Sequence, residues 1–132
     1  MKFNKTPEEA RKLWVEALRS GQYKQAHHRF ASREGYCCLG VACEVFMQHE
    51  SGLSKPASDT GSIGYRQING GREYGISLPS LVQNWLGVRT KDGDYCGTSL
   101  IEVNDDRADF LKIAEIIETE SDLWSKPASC PV

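Results

Sequence analysis

The sequence predicts a small, mainly helical α+β domain: a central buried helix, three flanking short helices and one short β-hairpin. Three observations carry that prediction. Apolar residues recur at helical spacing in two stretches, Ala10-Leu13-Trp14-Ala17-Leu18 and Leu78-Leu81-Val82-Trp85-Leu86. From Tyr36 to Met47 the chain is almost continuously apolar, which suits a helix enclosed on most sides. Asn69-Gly70 supplies the positive φ angles that a two-residue hairpin turn needs.

The elements follow in chain order. Thr6-Pro7-Glu8-Glu9 opens the first helix, with Thr6 as N-cap, Pro7 at the first helical position and acids near the positive end of the dipole; Gly21 stops it. Residues 22–35 show no sustained period of either kind and read as a structured loop or irregular strand that is basic and aromatic. The apolar stretch 36–47 is the central helix. Residues 49–62, rich in Ser, Gly, Pro and Lys, read as a surface loop. Ile63–Ile68 and Arg72–Ile76 flank the Asn-Gly turn as hairpin strands. A third helix begins near Pro79 and ends before Gly87. Ser99 and Glu102 have capping-box spacing for one helical turn. The last helix is expected to begin at Asn104-Asp105, with Asp105 and Asp106 as capping acids and Phe110, Ile113, Ala114 and Ile117 as its apolar stripe. The domain is expected to span residues 1–122, with 123–132 as a C-terminal tail. The pentapeptide Ser-Lys-Pro-Ala-Ser occurs at both 54–58 and 125–129, and no physical reason for the coincidence emerges.

Composition narrows the class of protein. A chain of 132 residues with 39% apolar content and three tryptophans can fill one core without a metal or a disulfide framework. No apolar stretch follows the charged amino-terminal residues, so neither a signal peptide nor a membrane span is expected, and the expected location is the cytoplasm. Five cysteines, two of them adjacent at Cys37 and Cys38, fit a secreted disulfide scaffold poorly and are read as reduced thiols. The net charge of −2 conceals a gradient. Residues 1–36 carry eight Lys or Arg against four acids, whereas Glu102–Asp122 carries eight acids against Arg107 and Lys112. Such asymmetry reflects either two solvated helix faces or self-association through unlike charges, the latter describing an oligomeric structural or interaction protein.

The candidate chemistry clusters around the start of the central helix. A thiol at a helix start gains thiolate character from the positive end of the dipole, so Cys37 or Cys38 is a candidate nucleophile for a cysteine-dependent enzyme. Cys-Cys-Leu-Gly-Val also looks like the Cys-Ser-Gly-Leu-Val of cell-wall papain-like peptidases. Those enzymes place their histidine downstream, and this chain has none after His49, so the base would have to be His27 or His28 upstream. Free cysteines are otherwise small, buried residues. No Cys/His spacing matches a zinc site, and no metal or other cofactor is expected. Gly35-x-x-x-x-Gly40 is not a phosphate loop, because Val41-Ala42 follows where Lys and Ser or Thr are required.

Binding has a broader basis. Arg19, Lys24, His27, His28, Arg29 and Arg33 crowd the segment that leads to the central helix, with Tyr23, Phe30 and Tyr36 interleaved. Helix-start N–H groups attract anions, long cations neutralise phosphate and aromatic rings stack on bases. Tyr23, Lys24, His27, Arg29, Arg33, Tyr36 and Cys37 are therefore the expected ligand contacts. The acidic total argues against broad nucleic-acid affinity.

One ordered set of motifs, Gly21-x-Tyr23-Lys24-Gln25, Tyr36-Cys37-Cys38-Leu39-Gly40-Val41-x-Cys43, Leu78-Pro79-x-x-Val82-x-x-Trp85-Leu86-Gly87 and Leu100-x-x-x-Asn104-Asp105 with Phe110-x-x-Ile113-Ala114, resembles a family of small uncharacterised bacteriophage and prophage proteins. That family commonly has Gly and Lys where this chain reads Ala26-His27-His28. The resemblance implies a phage accessory setting and, by analogy, counter-defence through binding a host protein or an anionic small molecule such as a nucleotide. The family carries no known activity to transfer to this chain.

Overall fold

Thr6 starts the first helix, α1 (Pro7–Arg19), by a reciprocal cap: its hydroxyl accepts from the Glu9 N–H at 3.2 Å, and the Glu9 carboxylate accepts from the Thr6 N–H at 3.0 Å. Gly21, at φ +78°, follows the C-cap Ser20 as expected for the stop signal. The computed structural model of the chain describes residues 3–27, 31–32, 35–55, 62–67, 73–74, 77–106 and 108–124.

The apolar stretch forms the central helix α2 (Cys38–His49), capped by Cys37. Eight of its residues from Cys38 through Phe46 are buried, including Leu39, Val41, Ala42, Cys43 and Phe46 at full burial. The third predicted helix is α3 (Ser80–Leu86), with Pro79 at its N-cap and Gly87 in the left-handed conformation just past its end. The carboxyl-terminal helices depart from expectation. Ser99 caps α4 (Leu100–Asp105), accepting from the Glu102 N–H at 3.1 Å, and the helix runs for six residues instead of one turn. The last helix, α5 (Phe110–Thr119), starts after Asp109, whose carboxylate accepts from the Lys112 N–H at 2.8 Å. Asn104-Asp105 therefore ends a helix instead of opening one, and Asp106 is a C-cap.

Among the described residues the strands are short and form three small antiparallel sheets, more β-structure than the one hairpin expected. The first sheet joins β1 (Ala31–Ser32) to β2 (Gly35–Tyr36) and to β4 (Ser62–Ile63). The second joins β3 (Leu53–Ser54), β5 (Tyr65–Gln67) and β6 (Glu73–Tyr74), and contains the expected hairpin with Tyr65 opposite Tyr74 and Arg66 opposite Glu73. That register is the one an Asn69-Gly70 turn predicts; the turn residues themselves lie outside the described set. The third pairs β7 (Asp94–Tyr95) with β8 (Thr98–Ser99).

All helices share one core. α1 packs against α5, α2 and α3, and α2 also meets α4 and α3. Trp14, Trp85, Tyr65 and Phe46 are the largest fully buried side chains. Phe46 and Trp85 meet edge to face with ring centres 5.2 Å apart, a preferred arrangement of aromatic quadrupoles. After α5 the chain makes a 3-10 turn (Ser121–Leu123) with Leu123 fully buried. Asp122 lies within that turn and is buried. None of the described helices is long and apolar enough to cross a membrane.

Candidate functional site

Gly35 sets the geometry around the start of α2. With φ +152°, a Cβ built there would lie 2.2 Å from the Lys24 carbonyl oxygen, so only glycine permits the contact. The backbones of Lys24–Ala26 and Tyr36 then pair directly: the Tyr36 N–H donates to the Lys24 carbonyl at 2.8 Å, and the Ala26 N–H to the Tyr36 carbonyl at 2.7 Å. This pairing carries Tyr23 onto Tyr36. Their rings meet edge to face at 5.6 Å, both half-buried, and the Gln48 amide donates to the Tyr23 hydroxyl at 3.0 Å.

Of the seven expected ligand contacts, five fall in this neighbourhood. Tyr23 and Tyr36 form the aromatic pair, while Lys24 and His27 are exposed along the same segment. Cys37 sits beneath them as the N-cap, its sulfur accepting from the Gly40 N–H at 3.4 Å. Arg29 and Arg33, together with His28, lie outside the described residues.

Three groups that the sequence did not single out complete the site. Glu44 is the one acid inside the apolar stretch, and its carboxylate accepts from the Tyr65 hydroxyl at 2.8 Å and pairs with the Lys55 ammonium at 3.2 Å. Lys55 also stands 5.7 Å above the Tyr36 ring, a cation–π distance. Burial works against the Lys55 charge, but the hydrogen bond and charge of Glu44 outweigh it and hold the ammonium pKa above its ordinary value. Burial, with Glu44 beside it, pushes the Tyr65 phenol up, so Tyr65 acts as a donor. A lone acid in an apolar helix was the signal that this face carries polar chemistry. Lys55 gave none, because its partner is remote in sequence.

The cysteines behave differently from the nucleophile expectation. Cys37 is 5% exposed and Cys38 fully buried. Burial pushes the Cys37 thiol up to about 12, outweighing the Gly40 N–H that favours the thiolate, and raises Cys38 and Cys43 still more decisively. At neutral pH the three are protonated thiols packed in the core, so the helix dipole does not decide their state. The expectation that every cysteine is reduced needs correction: Cys37, Cys38 and Cys43 are free, but Cys96 is disulfide-bonded.

Beneath the aromatic pair, Asn104 holds the helix start in place. Fully buried at the end of α4, its amide oxygen accepts from the Cys38 N–H at 3.2 Å and the Gln25 amide at 3.0 Å. Its amide nitrogen donates to the Ala26 carbonyl at 2.9 Å. Gln25 continues to the Ala108 carbonyl at 2.7 Å. One side chain thus joins the segment before β1, the first turn of α2 and the end of α4.

Fold and site together define a small helical α+β domain with an aromatic, polar surface over a sealed cluster of thiols. Its family follows from comparison of sequences: the chain belongs to a domain of unknown function (DUF8296), whose family model matches residues 7–121. No curated protein and no solved structure matches the chain.

Proposed function

We propose that this protein is a non-enzymatic binding protein that docks an anionic group, on a host protein or a nucleotide, against the Tyr23–Tyr36 surface. A phage accessory role, with counter-defence as its purpose, is the setting implied by the motif resemblance. The observation that carries the binding reading is the contrast at the start of α2. The groups able to do covalent chemistry there are enclosed and protonated, while the aromatic pair and the Lys24 and His27 side chains stand at the surface. Aromatic edges beside flexible cations suit recognition by stacking and charge neutralisation, and neither requires a buried reactive centre.

Native mass spectrometry of protein purified from expressing cells tests the reading. The expected result is a noncovalent adduct of nucleotide mass, or a copurified protein, on the wild-type chain. A combined Lys24→Glu and Tyr36→Ala variant should lose it. The same adduct on both proteins would place the ligand elsewhere, and a native wild-type chain that is always bare would remove the support for a captured ligand.

A further inference from the structure

We propose that the cleft between α1 and α5 is a second binding site, for a small zwitterion of the peptide class: a molecule with a carboxylate, an ammonium group and an apolar body. The cleft encloses about 550 Å³, within the range of small-molecule sites. It runs along α1 from Glu8 to Arg19, and none of the seven expected ligand contacts lines it.

Arg11 is the group that points to a ligand. Its Nε donates to the Leu86 carbonyl at 2.8 Å, and its guanidinium lies 4.0 Å over the Trp124 ring. The two contacts fix the plane of the fork and occupy one of its five donors. Among the described residues Arg19 meets Glu118, Arg89 meets Asp122, Lys55 meets Glu44 and Lys112 meets Glu115. Arg11 has no carboxylate within ion-pair distance among the described residues, although it is half-buried. Burial lowers its pKa, and the charge of Glu8 offsets that only in part. One terminal nitrogen packs beside Gly87, and the guanidinium, held over an indole at the lining of a cleft, keeps N–H donors for contact with a carboxylate. Little side-chain freedom remains to be lost when the ligand arrives.

The remainder of the lining selects the class of anion. Val15 and Ile117 are buried in its floor and Trp124 forms one wall, so an apolar body has a surface to cover. The charges around them are mixed, three cations (Arg11, Lys12 and Arg19) against four acids, with Glu8 acting on Arg11, Glu16 and Glu120 also in the lining, and Arg19 neutralised by Glu118. That acidic surplus repels a phosphate, which brings two negative charges and no positive one. A zwitterion satisfies both signs: its carboxylate meets Arg11 and its ammonium meets the acidic rim.

Titration of the full chain with the dipeptides Gly-Leu and Gly-Phe, followed by two-dimensional amide NMR, tests the proposal. The expected result is saturable shifts in residues 8–19 and 117–124, with those of Tyr23–Cys37 unmoved. The C-amidated dipeptides, which keep the ammonium and apolar body but lack the carboxylate, should bind at least tenfold more weakly. Arg11→Lys, which keeps the charge and loses the fork, should weaken Gly-Phe by a similar factor, and Arg11→Gln by more; Lys24→Glu should not change it. If Arg11→Gln does not fold, the amidated probes on the wild-type chain decide the point. Absence of saturable shifts in α1 and α5 at millimolar dipeptide overturns the proposal, as does equal affinity for acid and amide. Inorganic phosphate competing at equal affinity would show a simple anion site and overturn the zwitterion assignment.

Discussion

At the scale of single residues, Cys37 shows how two effects at one atom are ranked. The helix start and the Gly40 N–H both favour a thiolate, and residue type and position alone made that attraction visible. Enclosure by the core is the larger effect, and enclosure is a property of the fold. The consequence for stability has a definite sign. An unfolded cysteine ionises at 9.0, whereas the native thiol is pushed up to about 12, so between those values the unfolded chain binds fewer protons. Cys37 contributes fully below pH 9, and its contribution falls as pH rises toward 12. The limiting slope is about 1.4 kcal/mol per pH unit for one such group. Urea denaturation from pH 8 to 11 should show a shallower loss of stability in Cys37→Ala than in the wild-type chain. Iodoacetamide at pH 7.5 should leave native Cys37 and Cys38 unlabelled and modify both in urea. Rapid labelling of native Cys37 would restore the nucleophile reading.

At the scale of elements, legibility tracks whether a signal is local. Thr6 with Glu9, and Pro79 with Gly87, act within one turn of themselves, and α1 and α3 fall where those residues put them. The α4–α5 boundary was misplaced because Asn104, Asp105, Asp106 and Asp109 are all residue types that cap helices. Only tertiary structure separates them: Asn104 spends its amide on Cys38, Gln25 and Ala26, leaving Asp109 to cap α5. The aromatic pair and its cations were legible as a cluster in sequence, whereas Glu44 with Lys55 and Tyr65 depends on the β3–β5 pairing that brings remote segments together. The Asn104 junction has a measurable cost of removal. Asn104→Ala leaves the Cys38 N–H and the Ala26 carbonyl without these partners in a buried place, each worth about 1–3 kcal/mol. A loss of about 2–4 kcal/mol in urea denaturation is expected, since the neighbouring backbone relaxes in part. Exchange of the Cys38 amide hydrogen should accelerate more than that of amides in α3. An unchanged midpoint would mean that Asn104 does not hold the junction.

At the scale of the whole molecule, α1 packs against three of the other four helices. It lies against α2, α3 and α5, and Trp14 is the residue through which it reaches the centre. That indole is fully buried, and its Nε1 donates to the Cys38 carbonyl at 2.9 Å, in the first turn of the central helix. Removing the bond while keeping an aromatic ring isolates its share. Trp14→Phe forfeits one buried hydrogen bond, worth about 1 kcal/mol, and leaves a small cavity, so a loss of about 2 kcal/mol is expected. Trp14→Ala removes the ring as well and should cost about 3–5 kcal/mol, a large share of the stability of a domain this size. Because α1 joins the other helices into one core, the loss should appear as a single shifted transition, with backbone and aromatic circular dichroism moving together. Separate transitions in Trp14→Phe, with α5 signals melting before those of α2, would show that α1 fastens two independent units instead of sealing one.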